Sequence, residues 1–263
     1  MNFETREQPE WGAELTRQLR RLPLTLRCYE ELDSTNTEAK RYAIAGGQVP
    51  AVFVAGAQTQ GRGRMGRSFY SPEKTGIYLS LLLRMEGELE NAVTLTSGAA
   101  VATGRAIRQV TGIETGIKWV NDLYYRGRKV CGILAESFLW EDARYVILGV
   151  GVNLCTSDFP EELQQRAGSL LDRQGDERTA LTARIVSELY HLATRESEEN
   201  WIEEYRSRSL VLGQEVTYWI NGSRRQGVAV EIEADGSLRI RHADGSEERL
   251  SSGEITLRLA ETN

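Results

Sequence analysis

The sequence predicts an α+β protein with two parts, and two observations lead to this fold class. Up to about residue 211, helical apolar periods alternate with compact apolar strands. From residue 212 to residue 263 the helical period disappears, and short strands alternate with turn dipeptides. We therefore expect a mixed β-sheet domain with helices at 1–211 and a small all-β domain at 212–263.

The first part divides into helices and strands of ordinary length. Leu15, Leu19 and Leu22 share one face of an amphipathic helix, and runs rich in β-branched residues mark the strands. In chain order we expect helix 11–22, strand 25–32, helix 35–45, strands 51–58 and 76–84, helix 91–110, strands 116–125, 129–139 and 143–154, and helix 179–206. Residues 126–129 should form the hairpin turn between the strands on either side of them.

The polar cluster at residues 33–36 has two interpretations. Thr35 and Glu38 fit a capping box that opens the following helix, and Gly46 and Gly47 would stop that helix. Alternatively, the hydroxyl and amide groups of the cluster could bind the polar head of a ligand. Both interpretations stay open at this stage.

The second part is punctuated by three hairpin signals. Asn221-Gly222, Asp235-Gly236 and Asp244-Gly245 each separate short strand-like runs, and such dipeptides favour two-residue hairpin turns. We expect a β-barrel of roughly fifty residues, in the size range of SH3-like modules.

The composition excludes several function classes. A formal net charge of −6 and a pI near 5.3 disfavour a dedicated nucleic-acid binder, although a local basic patch can still grip an anion. Cys28, Cys131 and Cys155 are far apart and form no C-x-x-C pair, so neither a disulfide framework nor a zinc knuckle is indicated. The polar N-terminus and the short apolar runs predict a cytosolic protein without a membrane span.

A loop rich in glycine and arginine, residues 58–72, is the most unusual stretch. Gly61, Gly63 and Gly66 spell G-x-G-x-x-G after a strand. A dinucleotide-binding fingerprint must open a helix, and the sequence that follows contains Pro72 and has no helical period. A nucleic-acid-binding arm would be longer and repetitive. Neither class therefore fits well.

A plain surface loop would not need three neighbouring arginines, because their like charges repel. Arginine binds phosphate and carboxylate groups bidentately. We therefore interpret the loop as a flexible flap that closes over a polyanionic ligand. The flap is expected to be mobile when no ligand is bound.

Two further strands carry polar residues at notable positions. Lys118, Asn121, Asp122 and Lys129 interrupt an apolar pattern. Taken alone they would be a strand end with a turn, but together with the flap arginines they could neutralise a carboxylate and a triphosphate. Asn121 and Asp122 also offer the hard oxygen atoms that Mg²⁺ prefers.

A third apolar strand contains Gly149 and Gly151 and ends at Asn153. Glycines inside a strand permit a close approach to the backbone, and Asn153 is a candidate polar contact. The two histidines lie far apart and outside any serine or cysteine signature, so nucleophilic triads and metal clusters receive no support.

Together these segments resemble the biotin protein ligases. The segments that carry the resemblance are DSTN (33–36), QTQGRGRMGRSFYSP (58–72), KWVNDL (118–123), RKVCGILAE (128–136), GVGVNL (149–154) and GEITLR (253–258). They follow that family's order, and the similarity runs from about residue 26 to residue 258. It implies a catalytic domain of the biotin/lipoate ligase-like fold, followed by an SH3-like domain.

The resemblance also implies a two-step reaction. The biotin carboxylate attacks the α-phosphate of ATP to give biotinyl-5′-adenylate, and a lysine of a biotin carboxyl carrier domain then accepts the biotin. ATP with Mg²⁺ would be the cosubstrate, biotin the substrate, and no tightly bound prosthetic group is expected. The resemblance is compatible with a homodimer.

Roles can be carried over residue by residue. The biotin-binding residues implied are Ser34, Thr35, Asn36, Gln58, Arg62, Gly63, Arg64, Lys129 and Gly132. The nucleotide-binding residues implied are Arg62, Arg64, Phe69, Lys118, Asn121, Asn153 and Arg258. Arg64, Lys129 and Asp122 are expected to take part in catalysis, with Asp122 as a candidate base and with Mg²⁺ near Asn121 and Asp122.

Two departures and three alternatives accompany the resemblance. Phe69 stands where the family often has tryptophan, and Val120 replaces a frequent proline. Only a short polar segment and one helix precede the first family strand, so we expect no helix-turn-helix module and no DNA binding. The alternatives are a lipoate ligase or octanoyltransferase, which lack the GRGRxGR flap, a biotin-sensing regulator, and a ligand-binding protein without catalysis.

Overall fold

The computed structural model describes residues 9–85, 92–173, 175–194, 201–220, 222–251, 253 and 255–257. In this part of the chain a seven-stranded mixed sheet carries helices on both faces, and a five-stranded antiparallel sheet follows it. The α+β fold class that the sequence predicts is confirmed. The domain boundary between residues 211 and 212 stays a prediction.

Within the described residues the elements have the following bounds. The helices are α1 (Glu10–Leu19), α2 (Thr35–Ile44), α3 (Ala92–Thr111), α4 (Glu177–Ala193) and α5 (Trp201–Ser207). The first sheet contains β1 (Thr25–Leu32), β2 (Ala51–Gln58), β3 (Gly76–Met85), β4 (Gly116–Lys118), β5 (Asp122–Tyr125), β6 (Arg128–Trp140) and β7 (Ala143–Asn153). The second sheet contains β8 (Glu215–Ile220), β9 (Ser223–Ile232), β10 (Leu238–Arg241), β11 (Glu247–Leu250) and β12 (Ile255–Leu257).

The strand order of the first sheet is β1-β2-β3-β7-β6-β5-β4. Only the pairing of β1 with β2 is parallel among its described pairs, because α2 makes the crossover between these two strands. The second sheet has the order β11-β10-β9-β8-β12. Asp235-Gly236 and Asp244-Gly245 occupy its turns as predicted, whereas Asn221 lies outside the described residues.

The single strand expected at 116–125 is wrong. The chain turns back after Lys118, and β4 pairs with β5 through Lys118 opposite Asp122. The apolar pattern does not reveal this turn because its first two residues, Trp119 and Val120, are themselves buried. The Trp119 indole donates a hydrogen bond to the Gly236 carbonyl at 2.9 Å, which holds the turn against the second sheet.

Two helix predictions also need correction. The helix expected at 179–206 consists of α4 and α5, and residues 195–200 between them lie outside the described residues. The capping box is absent: Ser34 is the N-cap of α2 and makes no side-chain cap bond. The Glu38 carboxylate instead accepts a bond from the Tyr29 hydroxyl at 3.2 Å.

Apolar side chains form a separate core on each face of the first sheet. On one face, α2 packs on the sheet through a small cluster that includes Ala39, Ala43 and Phe53. On the other face, α1, α3, α4 and α5 contribute to a large cluster. This large cluster continues into the second sheet through residues such as Val216 and Tyr218, so the two sheets share one apolar core.

Candidate functional site

A depression lies on the face of the first sheet that carries α2. Register places Ser80 of β3 opposite Gly149 of β7, and Gly151 of β7 opposite Gly132 of β6. Cross-strand partners, and residues two apart on one strand, point to the same face. Three neighbouring glycines therefore leave this face open, while the surrounding positions carry side chains.

The described residues around this depression enclose a cavity of about 50 Å³. Its lining brings together residues that are far apart in the sequence. They are Ser34, Thr35, Asn36, Gln58, Arg62, Gly63, Arg64, Phe69, Leu79, Asn121, Lys129, Gly132, Ile133, Leu134, Gly149, Val150 and Gly151. The set contains all nine residues expected to bind biotin.

Polar side chains at the start of α2 form one end of the cavity. Ser34, Thr35 and Asn36 are nearly fully buried. The Thr35 backbone amide donates to the Gln58 Oε1 atom at 2.8 Å, and the Thr35 hydroxyl lies 3.2 Å from the same atom. Of the two interpretations of this cluster, the structure supports hydrogen bonding toward the site rather than helix capping.

Ser80, on β3 of the sheet beneath the cavity, connects Thr35 to Asn36. Its side chain is completely buried, and its Oγ lies 2.7 Å from Thr35 Oγ1 and 2.6 Å from Asn36 Oδ1. Buried polar groups normally require such partners. Ser80 was not among the predicted site residues, because a lone serine in an apolar strand gives no local signal in the sequence.

The loop of residues 61–69, called the flap from here on, folds over the cavity. The Gly63 amide donates to the Arg67 carbonyl at 2.7 Å, and the Phe69 amide donates to the Gly61 carbonyl at 2.8 Å. Gly66 has φ +74°, a conformation that favours glycine. The absence of a helix after the flap confirms that it is not a dinucleotide-binding fingerprint.

The flap arginines contact acceptors elsewhere in the chain. Arg62 Nη2 lies 2.9 Å from Glu136 Oε1. Arg64 donates to Asn121 Oδ1 at 3.0 Å and to the carbonyl of Gly253 at 2.9 Å. These acceptors oppose the repulsion between the arginines, and the mobility expected of the flap without a ligand stays a prediction.

The Phe69 ring covers two of the three glycines, Gly151 and Gly132. A Cβ atom on Gly151 would lie 2.6 Å from the Phe69 ring, and one on Gly132 would lie 3.2 Å from it. On Gly149, a Cβ atom would collide with Asn36 Oδ1 at 2.2 Å. The close approach expected at these glycines therefore involves Phe69 and Asn36.

Lys129 and Asp122 form an ion pair at the cavity wall. Lys129 Nζ lies 2.7 Å from Asp122 Oδ1. Asp122 does not itself line the cavity, whereas Lys129 does. Asp122 is placed to hold the Lys129 ammonium in position, and its role as a base stays a prediction.

Two described residues expected at the nucleotide, Lys118 and Asn153, do not line this cavity. Lys118 Nζ lies 5.8 Å from the centre of the Tyr124 ring. Asn153 is buried, and its amide donates to the Gly168 carbonyl at 3.1 Å. Arg258 lies outside the described residues. Their nucleotide-binding roles stay predictions.

The chain matches the biotin/lipoate A/B protein ligase family over residues 29–153. Among curated proteins it is 34% identical over 215 residues to the biotin--[acetyl-CoA-carboxylase] ligase of Mycobacterium tuberculosis, covering 78% of this chain and 79% of that protein. The chain belongs to the biotin protein ligases. The family match includes every residue that lines the cavity.

Other biotin protein ligases support this membership. The chain is 40% identical over 157 residues to the bifunctional ligase/repressor of Bacillus subtilis, covering 56% of this chain and 48% of that relative, about half its length. A solved biotin protein ligase from Aquifex aeolicus in complex with biotin and ATP superimposes with a TM-score of 0.75 at 30% identity, covering 90% of this chain and 99% of that one.

Asn121 and Asp122 do not fit a magnesium site built from protein atoms. The Asn121 side-chain oxygen accepts a hydrogen bond from Arg64, and an Asp122 oxygen faces Lys129, so both oxygens face cations. Among the described residues, no group of three or more His, Cys, Asp or Glu side chains could hold a metal ion.

None of the three cysteines lines the cavity. All three cysteines lie in the described part of the chain and are free. Burial raises the pKa of the Cys28 thiol to about 12 and also raises the pKa of Cys131. Neither thiol would form the reactive thiolate at neutral pH.

Proposed function

We propose that this protein activates biotin with ATP to form biotinyl-5′-adenylate and transfers the biotin to a lysine of a biotin carboxyl carrier domain. One observation carries the proposal. A single cavity joins a neutral polar end at Ser34, Thr35 and Asn36 to a cationic end at Arg64 and Lys129. A molecule with a polar neutral head and a carboxylate tail matches that arrangement.

The neutral end suits the ureido group of biotin. This group has one carbonyl acceptor and two N–H donors, which hydroxyl and amide side chains can match. The glycines of β6 and β7 leave the middle of the face open for an apolar ring and chain. Leu134 lies beside this space.

The cationic end suits the first chemical step. A biotin carboxylate oxygen attacks the α-phosphorus of ATP, and the bond to the pyrophosphate oxygen breaks. Two anions must approach each other, and fixed positive groups stabilise the charge that develops. Lys129 lies at the cavity wall with its ammonium held by Asp122, and Arg64 reaches over the same end from the flap.

The flap suits the second step. The carrier lysine amine attacks the acyl carbon, AMP leaves with the anhydride oxygen, and the amine loses a proton. A mixed anhydride is open to hydrolysis, and a closed flap excludes water until the carrier arrives. An anhydride is already activated, so the second step needs little help from a base.

Mg²⁺ is proposed only as the companion of the ATP phosphates. Mg²⁺ usually keeps several waters and binds through substrate phosphates with one or two carboxylates. Because Asn121 and Asp122 face cations, Mg²⁺ would bind with the ATP phosphates rather than to these two side chains. The need for ATP and the three free cysteines agree with the cytosolic setting that the composition predicts. Among the described helices, none is long and apolar enough to cross a membrane.

The decisive experiment is an adenylation assay with the purified protein. Biotin and ATP together should release pyrophosphate and give biotinyl-5′-adenylate, and an added biotin carboxyl carrier domain should become biotinylated. Lipoate or octanoate in place of biotin should give no product. Pyrophosphate release that depends on lipoate, or none with any of these acids, would overturn the proposal.

A further inference from the structure

Glu136 is the one charged residue in the stretch of β6 from Val130 to Phe138. Gly132, Leu134 and Glu136 are two residues apart, so they point to the same face of the sheet. Gly132 and Leu134 line the cavity, whereas Glu136 lies just beyond its edge. None of the roles described above involves Glu136.

The two carboxylate oxygens of Glu136 contact different parts of the site. Oε1 lies 2.9 Å from Nη2 of the flap residue Arg62. Oε2 accepts a hydrogen bond from Asn36 Nδ2 at 2.8 Å. One carboxylate therefore touches both the roof and the neutral polar end of the cavity.

The contact with Asn36 belongs to a longer chain of hydrogen bonds. From Asn36 the chain continues through Ser80 to Thr35 and then to Gln58. Gln58 Nε2 donates to Ser71 Oγ at 2.9 Å. The Ser71 hydroxyl donates to the Phe69 carbonyl at 2.9 Å. The chain thus begins at Arg62 and returns to the flap at Phe69.

We infer that Glu136 is a positioning residue that joins the flap to the residues around the ligand head. It acts through Arg62 and Asn36 rather than by touching the ligand. Arginine has five N–H donors, so an Arg62 held by one oxygen of Glu136 keeps further donors for a ligand anion. The inference rests on the proposed function for its ligand, but the link between flap and floor is a property of the free protein.

The first test is amide exchange across the flap without any ligand. Glu136→Gln keeps a side chain of the same shape and an oxygen for Asn36 but removes the charge opposite Arg62. Because half-exposed ion pairs contribute modestly, we expect flap amides to exchange roughly two- to five-fold faster. Glu136→Ala removes both contacts and should also speed exchange at the start of α2.

The matched control is Glu38→Gln. Glu38 lies on α2 and pairs with Arg41 at 3.4 Å, with side-chain exposures of 24% for Glu38 and 57% for Arg41. The Glu136–Arg62 pair has similar exposures of 27% and 48%. The control thus removes a comparable charge outside the cavity, and flap exchange should match that of the unmodified protein.

The second test separates positioning from chemistry. In the adenylation assay, Glu136→Gln should raise the biotin concentration for half-maximal rate about two- to five-fold and leave the maximal rate nearly unchanged. Unaltered flap exchange, an equal change in Glu38→Gln, or a loss of maximal rate alone would each overturn the inference. If the unmodified protein forms no adenylate, the proposed function fails, whereas the exchange test still decides the role of Glu136.

Discussion

The two ends of the cavity are built in different ways. At the neutral end, Thr35, Asn36 and Ser80 are buried and bond to one another, so their positions are fixed before a ligand arrives. At the cationic end, Arg64 of the flap meets acceptors from the β4–β5 turn and from Gly253. Recognition of the ligand head therefore depends on a rigid surface, whereas the reacting end must be assembled from separate segments.

This difference predicts that substitutions at the cationic end alter the rate of adenylate formation or of adenylate release. Substitutions at the neutral end should alter the affinity for biotin. Lys129→Ala should have the largest effect. Losing a fixed positive group at the reacting centre should cost about 2–4 kcal/mol of transition-state stabilisation, or roughly 30- to 1,000-fold in adenylation rate. The measurement is single-turnover adenylate formation at saturating biotin and ATP.

Lys40→Ala is a suitable control for this change, since Lys40 lies on α2 with its ammonium 5.2 Å from the centre of the Phe138 ring and does not line the cavity. It should adenylate biotin at the normal rate. A folded Lys129→Ala protein that also kept its rate would remove Lys129 from the reaction.

Arg64→Ala should have the next largest effect, on retention of the adenylate. The substitution removes the charge-assisted hydrogen bonds that the Arg64 guanidinium donates, which are worth about 1.5–3 kcal/mol each. The adenylate should therefore leave roughly ten- to a hundred-fold faster. Leaked adenylate should label nearby lysines indiscriminately. The measurement is release of labelled adenylate into solution; unchanged retention would mean that the flap is a static wall.

Ser80→Ala tests the neutral end. Loss of one buried hydroxyl that links Thr35 to Asn36 should weaken biotin binding about two- to ten-fold, because a net hydrogen bond contributes about 0.5–1.5 kcal/mol. Calorimetric titration with biotin measures it, and Ser137→Ala, at an exposed position of β6, is the control. A drop in maximal rate with unchanged affinity would contradict the division between the two ends.

The smallest effect concerns Asp33, next to the neutral end. Its hydrogen bonds with Arg41 hold the pKa of the Asp33 carboxyl below its usual 3.8. A lowered folded-state pKa adds stability above about pH 4, and this contribution is lost as the pH falls through the lowered value. Asp33→Asn should therefore lower Tm slightly at neutral pH. The corresponding loss of unfolding free energy should be at most about 1 kcal/mol.

The deficit of this variant should shrink as the pH falls from neutral through the lowered pKa, because the Asp33 carboxyl is then protonated and uncharged like the asparagine side chain. Thermal unfolding across this range measures the difference. Asp142→Asn, in the exposed turn after β6, is the control for the loss of an aspartate elsewhere on the surface. An Asp33→Asn deficit that persisted in acid would point to lost packing instead of lost charge.

The resemblance to the biotin protein ligases located most of the cavity, because the residues that carry it occur in short local motifs. The start of α2, the flap and the Lys129 region each show polar groups that an ordinary strand or loop does not need. Glu136 and Ser80 escaped notice because their partners lie 44 or more residues away. The turn at Trp119 escaped notice because burial, rather than polarity, holds it in place.

The nucleotide end was less predictable for a related reason. Lys118 and Asn153 lie on matching segments, but in this conformation they contact Tyr124 and Gly168. A sequence pattern records that a residue is polar, not which neighbour it meets. The mobility expected of the flap stays a prediction, since it rests on charge repulsion between arginines and the contacts of Arg62 and Arg64 oppose that repulsion.

The contact between Arg64 and the Gly253 carbonyl has a consequence for the timing of biosynthesis. The two residues are 189 positions apart in the chain. A ribosome adds about 5–20 residues per second, so roughly 10–40 seconds separate the synthesis of the flap from that of its anchor. During this interval the first sheet can already fold, but Arg64 has no Gly253 to contact. A nascent chain should accordingly bind biotin before it can retain an adenylate, so any adenylate formed in this interval should escape from the chain as it does from Arg64→Ala.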